Sequence, residues 1–441
     1  MSRLSIVLHT HMPYVEGFGT WPFGEEWLWE AIATSYLPLL DLLDEQPGRV
    51  TLSLTPVLAD QLEAPAVLER ASAFLREVRP ASHALDLAED PSPALEYSAA
   101  RYEEAAAALE RRGDLLDAFG PHVDWTSAAT HAVLPLLATD AGVRLQVETG
   151  VEAYRTRFGA WDGGFWLPEC AHTPWLDRLL EEAGVHLTCV DWTDVLGPDD
   201  HAPRRSAAGV VLIPLDRAAI DRVWAADGYP AHAAYRDTHR LTPRHHQAWA
   251  NDGASYDPER AAEQAGADAR DFVSHVRGDT VVAFDTELLG HHWHEGVTWL
   301  RAVFEQAEAA GVELAPPAVE DARPAPDALS FAIPTSWGAG RDLRTWSGPA
   351  SGGLAWSQRA AELAALGGRA GAPPSPRALR ELLALQSSDW AFLIAAGTAG
   401  DYPRERFDAH RAAFEDALAG EGEPELRNLA PRLARWAFVQ P

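Results

Sequence analysis

Lysine is absent from this chain of 441 residues, so all 36 of its basic residues are arginine. They face 65 acidic residues, which gives a formal net charge of -29 at pH 7. A chain this acidic is repelled by nucleic acid and by anionic membrane surfaces, and neither class of partner is expected. A neutral or cationic substrate fits the charge better.

Cysteine is scarce and long hydrophobic runs are missing. The two cysteines, Cys170 and Cys189, do not indicate a disulfide framework. The apolar run Leu4–Leu8 is too short for a signal peptide, and no later segment is long enough to span a bilayer. We therefore expect a soluble cytoplasmic protein. No GxGxxG or P-loop follows the first apolar run, so a minimal nucleotide-binding sheet is not indicated.

Short apolar segments alternate with helical ones over the first 290 residues. The predicted strands are Leu4–Leu8, Val50–Leu54, Val123–Thr126, Phe165–Leu167, His186–Val190, Val210–Ile213 and Val281–Phe284. Such alternation predicts parallel pairing and an α/β fold, and the number of strands favours a barrel. In parallel barrels the chemistry lies at the carboxyl ends of the strands.

Helical spacing is predicted between and after these strands. The helical segments are Glu25–Leu43, a surface excursion over Leu58–Phe119 with breaks near Pro80 and Pro91–Pro93, Asp140–Phe158, Trp175–Ala183, Pro258–Val276, Gly296–Ala310, Arg377–Ala396, Arg404–Leu418 and Glu425–Trp436. The segment Val223–His246 is a long loop rich in glycine, proline and polar residues, which is typical of a functional loop. Pro316–Pro326 is predicted to be a linker.

Two carboxylates follow separate predicted strands. Glu169 lies in the rigid segment GFWLPECAHTPW, and Asp285 ends the strand of VVAFDTELLG. Cleavage of a glycosidic bond needs one carboxylate to attack or stabilise the anomeric carbon and one acid to protonate the leaving oxygen. Either residue alone could equally cap a helix or pair with an arginine. Glu287 shares a face with Asp285 if the strand continues, so spacing alone does not choose between them.

Histidines stand at the same strand ends. His9, His11 and His131 could bind a metal together with a carboxylate, contact sugar hydroxyls, or be structural, and the sequence favours sugar contact. The cluster around His291 is interpreted as a pocket wall. Cys170 adjoins Glu169 but has no assignable histidine partner, so we expect a buried, inert thiol.

Aromatic residues are abundant, with 17 tryptophans. Flat aromatic faces suit sugar rings, although most tryptophans fill or cover a core. Trp337 and Trp346 could stack on a glucan or pack between domains, and Asp389 could bind a sugar hydroxyl or cap a helix. These alternatives are evenly balanced on the residues alone.

Five motifs occur in a familiar order: HTHMPY, ATHAVLPLL, FWLPECAHTPWL, VVAFDTELLGHHWHEG and LLALQSSDWAFLI. Together they resemble the ordered motifs of glycoside hydrolase family 57, and within it the 1,4-α-glucan branching enzymes. The resemblance covers nearly the whole chain. It implies an incomplete (β/α)7 barrel over residues 1–315 with a helical insertion near 58–119. It also implies a C-terminal α-helical domain over 316–441 that completes the substrate cleft.

The resemblance further implies a retaining double displacement on an α-1,4-glucan that forms α-1,6 branches without cofactor or metal. At matching positions, Glu169 becomes the nucleophile, Asp285 the general acid/base, and Tyr229 a mobile-loop residue linked to transfer over hydrolysis. The expected substrate-binding set, with Tyr229, is His9, His11, His131, Trp166, Arg236, His291, Trp337, Trp346, Asp389 and Trp390.

Other functions stay open on the sequence. The same carboxylate pair would serve an α-1,4-glucan hydrolase or a 4-α-glucanotransferase. A glucan-binding protein without turnover and a metal-dependent deacetylase or mannosidase are the alternatives from other classes. The oligomeric state is not indicated.

Overall fold

The computed structural model describes residues 2–325, 334–367, 374–421 and 428–439. All seven predicted strands are present, and three two-residue strands join them. The strands are β1 (Arg3–Thr10), β2 (Thr51–Leu54), β3 (Val123–Ser127), β4 (Phe165–Trp166), β5 (Leu187–Val190), β6 (Arg204–Arg205), β7 (Val211–Pro214), β8 (Asp279–Asp285), β9 (Glu313–Leu314) and β10 (Arg323–Pro324).

The seven predicted strands are parallel and follow one another around an incomplete barrel. One sheet has the order β4-β3-β2-β1-β8, and β5 pairs with β7 in a second sheet. An isolated bridge between Gly164 and Leu187 joins the two sheets on one side. On the other side the Asp216 N–H donates to the Val281 carbonyl at 2.8 Å. At these two junctions the strands are joined by isolated contacts and not by a full ladder of hydrogen bonds, so the barrel is incomplete. The expected fold class is confirmed.

The register of the strands brings functional residues side by side. His9 of β1 lies opposite Ser53 of β2 and opposite Asp285 of β8. Because parallel strands bring their carboxyl ends to one edge of the sheet, all three side chains belong to the same end of the barrel. The register of the strands therefore brings His9 and Asp285 of the predicted site together.

The predicted helix at Glu25–Leu43 is continuous but contains an inserted residue. It consists of α1 (Glu25–Ala31), a π-helical turn (Ile32–Tyr36) and α2 (Leu37–Glu45). Gly290, after β8, packs directly against this turn, because a Cβ at its position would overlap the Thr34 carbonyl. Its φ of 103 also favours glycine. The close approach lets Tyr36 reach the end of β8.

The helical excursion is present as α3 (Pro56–Leu62), α4 (Val67–Ala73), a π-helical turn (Phe74–Val78), α5 (Arg79–Glu89), α6 (Pro93–Arg112) and α7 (Leu115–Phe119). The expected break near Pro80 is wrong, since helix runs without interruption from α4 through the turn into α5. Pro80 has no N–H to donate and stands in the first turn of α5, just after the π-helical turn. The second break is confirmed, with Ser92 capping α6 by accepting from the Leu95 N–H.

The remaining barrel helices are α8 (Asp140–Phe158), α9 (Leu176–Glu182), α10 (Thr193–Leu196), α11 (Arg217–Trp224), α12 (Pro258–Ser274) and α13 (Gly296–Ala310). The C-terminal helices are α14 (Arg344–Ser347), α15 (Gly352–Gly367), α16 (Pro376–Leu385), α17 (Ser388–Ala396), α18 (Tyr402–Ala419) and α19 (Arg435–Val439). The bounds of α8 and α13 are those predicted.

Two C-terminal predictions need correction. The helix predicted over Arg377–Ala396 is two helices, because the chain breaks between α16 and α17 and Ser387 bridges to Ala132 of the barrel. The break directs the first turn of α17 at the barrel end. The helix predicted over Glu425–Trp436 is also wrong in its described part, since residues 428–434 are not helical. Pro431 disfavours helix there, and residues 425–427 lie outside the described residues.

The C-terminal helices share a core with the barrel. Leu379, Leu382 and Leu383 of α16 are fully buried in one cluster with Tyr14 and Leu145. A common core holds the two parts in fixed contact. The division near residue 315 stays a prediction. In the described part of the chain, no helix combines the length and apolarity needed to cross a membrane.

Candidate active site

Glu169 lies in an unusual backbone turn after β4. Its φ and ψ are 62 and 19, and Cys170 follows with a φ of 48. Left-handed backbone is uncommon for residues with a side chain and concentrates at functional sites. The turn is closed by the Cys170 N–H donating to the Leu167 carbonyl at 2.8 Å. It fixes the direction in which the carboxylate points.

Two donors hold the Glu169 carboxylate. The Trp337 indole N–H donates to Oε2 at 3.0 Å, and the Ser388 hydroxyl donates to Oε1 at 2.9 Å. Burial raises the pKa of Glu169, and these two hydrogen bonds oppose that rise because they favour the charged form. Both donors come from the C-terminal part of the chain, which thereby completes the surroundings of Glu169.

A chain of hydrogen bonds leads from β2 to Glu169. Because the Ser388 hydroxyl donates to the carboxylate, it accepts from His131 Nδ1–H at 2.8 Å. His131 Nε2 is then an acceptor and receives the Nε2–H of His9 at 2.9 Å. His9 Nδ1 in turn accepts from the Ser53 hydroxyl at 3.2 Å. The carboxylate thus sets the tautomers of both histidines through one serine.

His11 is the member of the group His9, His11 and His131 whose pKa is raised. Its Nε2 contacts Asp389 Oδ1 at 2.9 Å. Burial would lower the pKa of His11, but Asp389, with smaller contributions from Glu287 and Glu169, outweighs burial and raises it. Burial and the charge of His11 lower the pKa of His9 and that of His131.

Asp285 has the opposite environment to Glu169. It is half-buried at the end of β8, and no hydrogen bond from the described residues reaches its carboxyl group. Burial raises its pKa well above the ordinary value, and the charges of Glu287 and Glu169 raise it further. Asp389 acts in the same direction, whereas His11 opposes them. These surroundings favour the protonated form.

Glu287 competed with Asp285 on spacing, and the structure separates the two. Its carboxylate accepts from the Tyr36 hydroxyl at 2.6 Å and from the His11 backbone N–H at 3.1 Å. Burial raises its pKa to about 7. Glu287 is therefore engaged by the protein, while the Asp285 carboxyl group is free to meet a ligand.

One group of side chains has metal-ligand spacing in the described ranges. Ligand atoms of His11, His131 and Asp389 lie within 4.8 Å of one another. His11 Nε2 and Asp389 Oδ1 are already hydrogen-bonded to each other, and His131 Nδ1 is hydrogen-bonded to the Ser388 hydroxyl. We describe the group as a hydrogen-bonded network and assign it no metal, so the expectation of metal-free chemistry stays a prediction.

Three predicted glucan-contacting tryptophans are buried. Trp166 stacks on His9 with ring centroids 4.8 Å apart, beneath the histidine group. The indole N–H of Trp390 donates to the Ala384 carbonyl, and Trp346 is also enclosed. These rings present almost no surface to a ligand in this structure. Trp337, the fourth of these tryptophans, donates its indole N–H to Glu169.

Arg236 and His291 line a separate cavity of about 860 Å³. The Arg236 guanidinium lies over the Tyr256 ring at 5.3 Å and the Tyr97 ring at 6.0 Å. Glu169 and Asp285 are not among the described residues that line this cavity. The expected contacts of Arg236 and His291 with a glucan stay predictions.

Tyr229 lies in the long loop, where its hydroxyl donates to Asp271 of α12 at 2.7 Å. The same loop is fastened to α5 farther along. Asp86 accepts from the Thr242 hydroxyl at 2.5 Å and from Arg244 at 2.8 Å. The part played by Tyr229 in transfer stays a prediction.

Sequence reasoning missed three residues of the site: Ser388, Ser53 and Tyr36. Ser388 precedes Asp389 in the quoted SSDW motif, and consecutive serines are a helix-start signal. Ser53 shares the register of His9, which a correct pairing of the first two strands would have shown. Tyr36 has no local signal, because it reaches the site only through the π-helical turn.

Comparison with known proteins agrees with the motif order. Residues 125–317 match Glycosyl hydrolase family 57, and residues 375–428 match the C-terminal part of 1,4-alpha-glucan branching enzyme. A probable 1,4-alpha-glucan branching enzyme of Mycobacterium tuberculosis is 32% identical, over 98% of this chain and 94% of the relative. A 1,4-alpha-glucan branching enzyme of Thermococcus kodakarensis is 30% identical, over 95% of this chain and 73% of the relative.

Solved structures extend the likeness to the fold. A GH57-type branching enzyme of Pyrococcus horikoshii superposes with a TM-score of 0.89 at 27% identity, covering 100% of this chain and 97% of the other. The α-amylase AmyC of Thermotoga maritima, at 24% identity and a TM-score of 0.76, covers 100% of this chain and 98% of its own and shares the fold. The identity to relatives over nearly the whole chain places it: the chain belongs to glycosyl hydrolase family 57, among the 1,4-alpha-glucan branching enzymes.

Proposed function

We propose that this chain is a 1,4-α-glucan branching enzyme in which Glu169 is the nucleophile and Asp285 the general acid/base. The observation that carries the assignment is the contrast between the two carboxyl groups. Burial raises the pKa of both groups, but two hydrogen bonds oppose the rise at Glu169, whereas neighbouring acids add to it at Asp285. Environments that push two pKa values apart separate a nucleophile from an acid.

In the first step, a Glu169 carboxylate oxygen attacks the anomeric carbon of an α-1,4-linked glucose unit. The bond from that carbon to the leaving oxygen breaks, and Asp285 gives its proton to that oxygen. The departing chain leaves with a free 4-hydroxyl, and a glycosyl ester remains on Glu169. Ser388 and Trp337 hold the two carboxylate oxygens, so that the attacking group is oriented before the substrate arrives.

In the second step, Asp285 acts as a base toward the 6-hydroxyl of another glucan chain. That oxygen attacks the anomeric carbon, its proton passes to Asp285, and Glu169 leaves as a carboxylate. Two inversions at one carbon retain the α configuration and produce an α-1,6 branch. Transfer in place of hydrolysis requires that water be kept from the ester, and the long loop fastened to α5 is suited to that role.

The substrate class follows from charge as well as from family. A site with four carboxyl groups suits an uncharged polysaccharide better than a charged one. The names of the relatives support an α-1,4-glucan as the partner. As part of the same proposal we place the protein in the cytoplasm, in the synthesis of a storage glucan such as glycogen. Its buried free cysteines fit a reducing compartment.

The test is to incubate the purified protein with amylose, debranch the product and measure chain lengths. New α-1,6 branches are expected from the wild type and from Glu305→Gln, a matched change on the exposed face of α13. No branches are expected from Glu169→Gln, which keeps the shape of the side chain and loses the nucleophile. Reducing ends without branches would reassign the chain as a hydrolase, and longer linear chains as a 4-α-glucanotransferase.

A further inference from the structure

A third carboxylate stands beside the catalytic pair without a part in either step. We propose that Glu287 is a positioning residue whose negative charge holds the proton on Asp285 and whose oxygen fixes the His11 end of β1. The inference rests on the proposed function, because it assigns a task in the same double displacement. It concerns the cleavage half, which is measured independently of branch formation.

The position of Glu287 is built by two distant segments. The residue lies in the turn Thr286–Leu288 directly after Asp285. The Tyr36 hydroxyl reaches it from the π-helical turn at 2.6 Å, and the His11 N–H from the end of β1 at 3.1 Å. Gly290 allows this approach because no side chain would fit against Thr34. A buried acid with two aimed donors is held in place by the fold.

Both donors to Glu287 are neutral groups. The salt bridges among the described residues include none to Glu287, so that no arginine cancels its charge. The electrostatic effect of His11 favours the charged form of Glu287, and low-dielectric surroundings strengthen the effect of that charge on its neighbours. Its nearest acidic neighbour along the chain is Asp285.

The charged and titratable groups around the two acids are few. Asp285 faces Glu287, Glu169 of the turn after β4, Asp389 of α17, His11 and the buried thiol of Cys170. Glu287 faces Asp285, His11 and the Tyr36 hydroxyl, and burial raises the pKa of Tyr36 so that it stays a donor. Four carboxyl groups therefore face one histidine, His11, whose pKa is raised by Asp389, Glu287 and Glu169.

Asp285 and Glu287 titrate as a coupled pair. Burial raises the pKa of Glu287 to about 7, while that of Asp285 is raised well above its usual range by burial and by Glu287 itself. The charge of an ionised Glu287 therefore opposes ionisation of Asp285. The same charge makes the Asp285 carboxylate formed in the first step a stronger base for the second.

The variant Glu287→Gln tests this directly, since the amide oxygen still accepts from Tyr36 and His11 while the charge is gone. The measurement is kcat/KM for glucan cleavage against pH, from about pH 5 to pH 9 around the ordinary range of catalytic groups. The alkaline limb, which reports ionisation of the acid, is expected to move down by about one pH unit. The acid limb, which reports Glu169, is expected to stay.

Tyr36→Phe supplies a second variant if the first folds poorly. Without the hydroxyl, the Glu287 carboxylate loses a stabilising donor and is charged over less of the pH range. The alkaline limb is expected to move in the same direction by less. Glu305→Gln on exposed α13 is the matched control with an unmoved profile.

Leaving-group dependence separates the possible outcomes. A nitrophenyl malto-oligoside departs without a proton, so the loss caused by Glu287→Gln at alkaline pH should shrink with it. A uniform fall in kcat/KM with both limbs in place would overturn the proposal in favour of a structural role. An alkaline limb abolished in Glu287→Gln and retained in Asp285→Asn would make Glu287 the acid itself. A wild type that cleaves but forms no branches would refute the branching function and leave this test intact.

Discussion

The chain positions the two proposed catalytic carboxyl groups, and sets their surroundings, in different ways. Asp285 continues the extended backbone of β8, with φ and ψ of -64 and 131, and its pKa is raised by burial and then by the acids around it. Glu169 stands in a left-handed turn and is held by donors from two other segments. The acid is thus specified by its place on a strand and by charge, and the nucleophile by convergence of three parts of the chain.

This comparison separates two kinds of sensitivity. The function of Asp285 depends on which protonation state it holds, so pH and nearby charges should control it. The function of Glu169 depends on where its oxygens lie, so its donors should control it. Substitutions on the two sides should therefore differ in their pH profiles and products.

The largest effect is expected from removing each carboxyl group and supplying azide. Glu169→Gly should lose cleavage by more than about 10,000-fold, and azide should then give a β-glycosyl azide because only one inversion occurs. Asp285→Gly should lose about 100- to 10,000-fold, and azide should give an α-glycosyl azide through the intact ester. Product configuration by NMR is the measurement.

Equal configurations from the two azide reactions would contradict the assignment of roles. A matched change far from the site, Glu305→Gln on α13, should leave turnover unaffected and give no azide adduct. Glu169→Gly and Asp285→Gly also control for each other, because each removes a half-buried carboxyl group and opens space at the site.

A smaller effect is expected from Ser388→Ala. The change removes the donor to Glu169 Oε1 and the acceptor of His131 Nδ1, so that kcat should fall about 10- to 100-fold, which is a loss of one charge-assisted hydrogen bond. Because the lost donor favoured the charged form, the pKa of Glu169 rises and the acid limb of kcat/KM should move to higher pH. Stopped assays over a pH series measure both.

The control for Ser388→Ala is Ser347→Ala on exposed α14, whose hydroxyl bonds only within its own helix turn to Leu343. It should leave the pH profile unchanged. A shift of the alkaline limb in Ser388→Ala, with the acid limb fixed, would mean that Ser388 acts on Asp285 and would refute the division between the two sides.

Trp337→Phe should have a weaker effect on the same carboxylate. The change removes the hydrogen bond of 3.0 Å from the indole N–H to Glu169 Oε2, while an aromatic ring still packs against Trp166. A neutral donor removed from a charged acceptor costs about 1.5–3 kcal/mol, and retained packing favours the low end. The acid limb should again move upward, by less than with Ser388→Ala. Unchanged kcat with a raised KM would instead support a glucan-stacking role.

The sequence located one side of this comparison better than the other. Strand ends are local features, so Asp285 and His9 could be placed from apolar runs, and Glu169 from the run before it. The donors to Glu169 depend on long-range packing. Ser388 was missed because one helix was predicted through the polar residues 386–389, where the chain in fact breaks and Ser387 bridges to Ala132.

Aromatic residues show a second limit of sequence reasoning. Tryptophan count indicates neither burial nor hydrogen bonding, so Trp166 and Trp390 were expected at the glucan and lie in the core. Trp337 donates its indole N–H to the nucleophile, which its sequence context did not indicate, and its expected stacking on a glucan stays a prediction. Tyr36 was invisible for another reason, since a single inserted residue in its helix decides which way it faces.

The smallest effect is expected from a change that touches neither catalytic carboxyl group, in the contacts that hold the long loop against α5. Asp86→Asn weakens the acceptor shared by Thr242 and Arg244, so the loop opens more often and water gains access to the glycosyl ester. Cleavage should stay within about twofold, because no group touching the reacting atoms changes, while the ratio of reducing ends to new branches rises. Glu89→Gln removes only the exposed partner of Arg244 and should change the ratio less. If the ratio of reducing ends to new branches is unchanged in both variants, the contacts of Asp86 do not control water access. The bound acceptor chain would then be what excludes water from the ester.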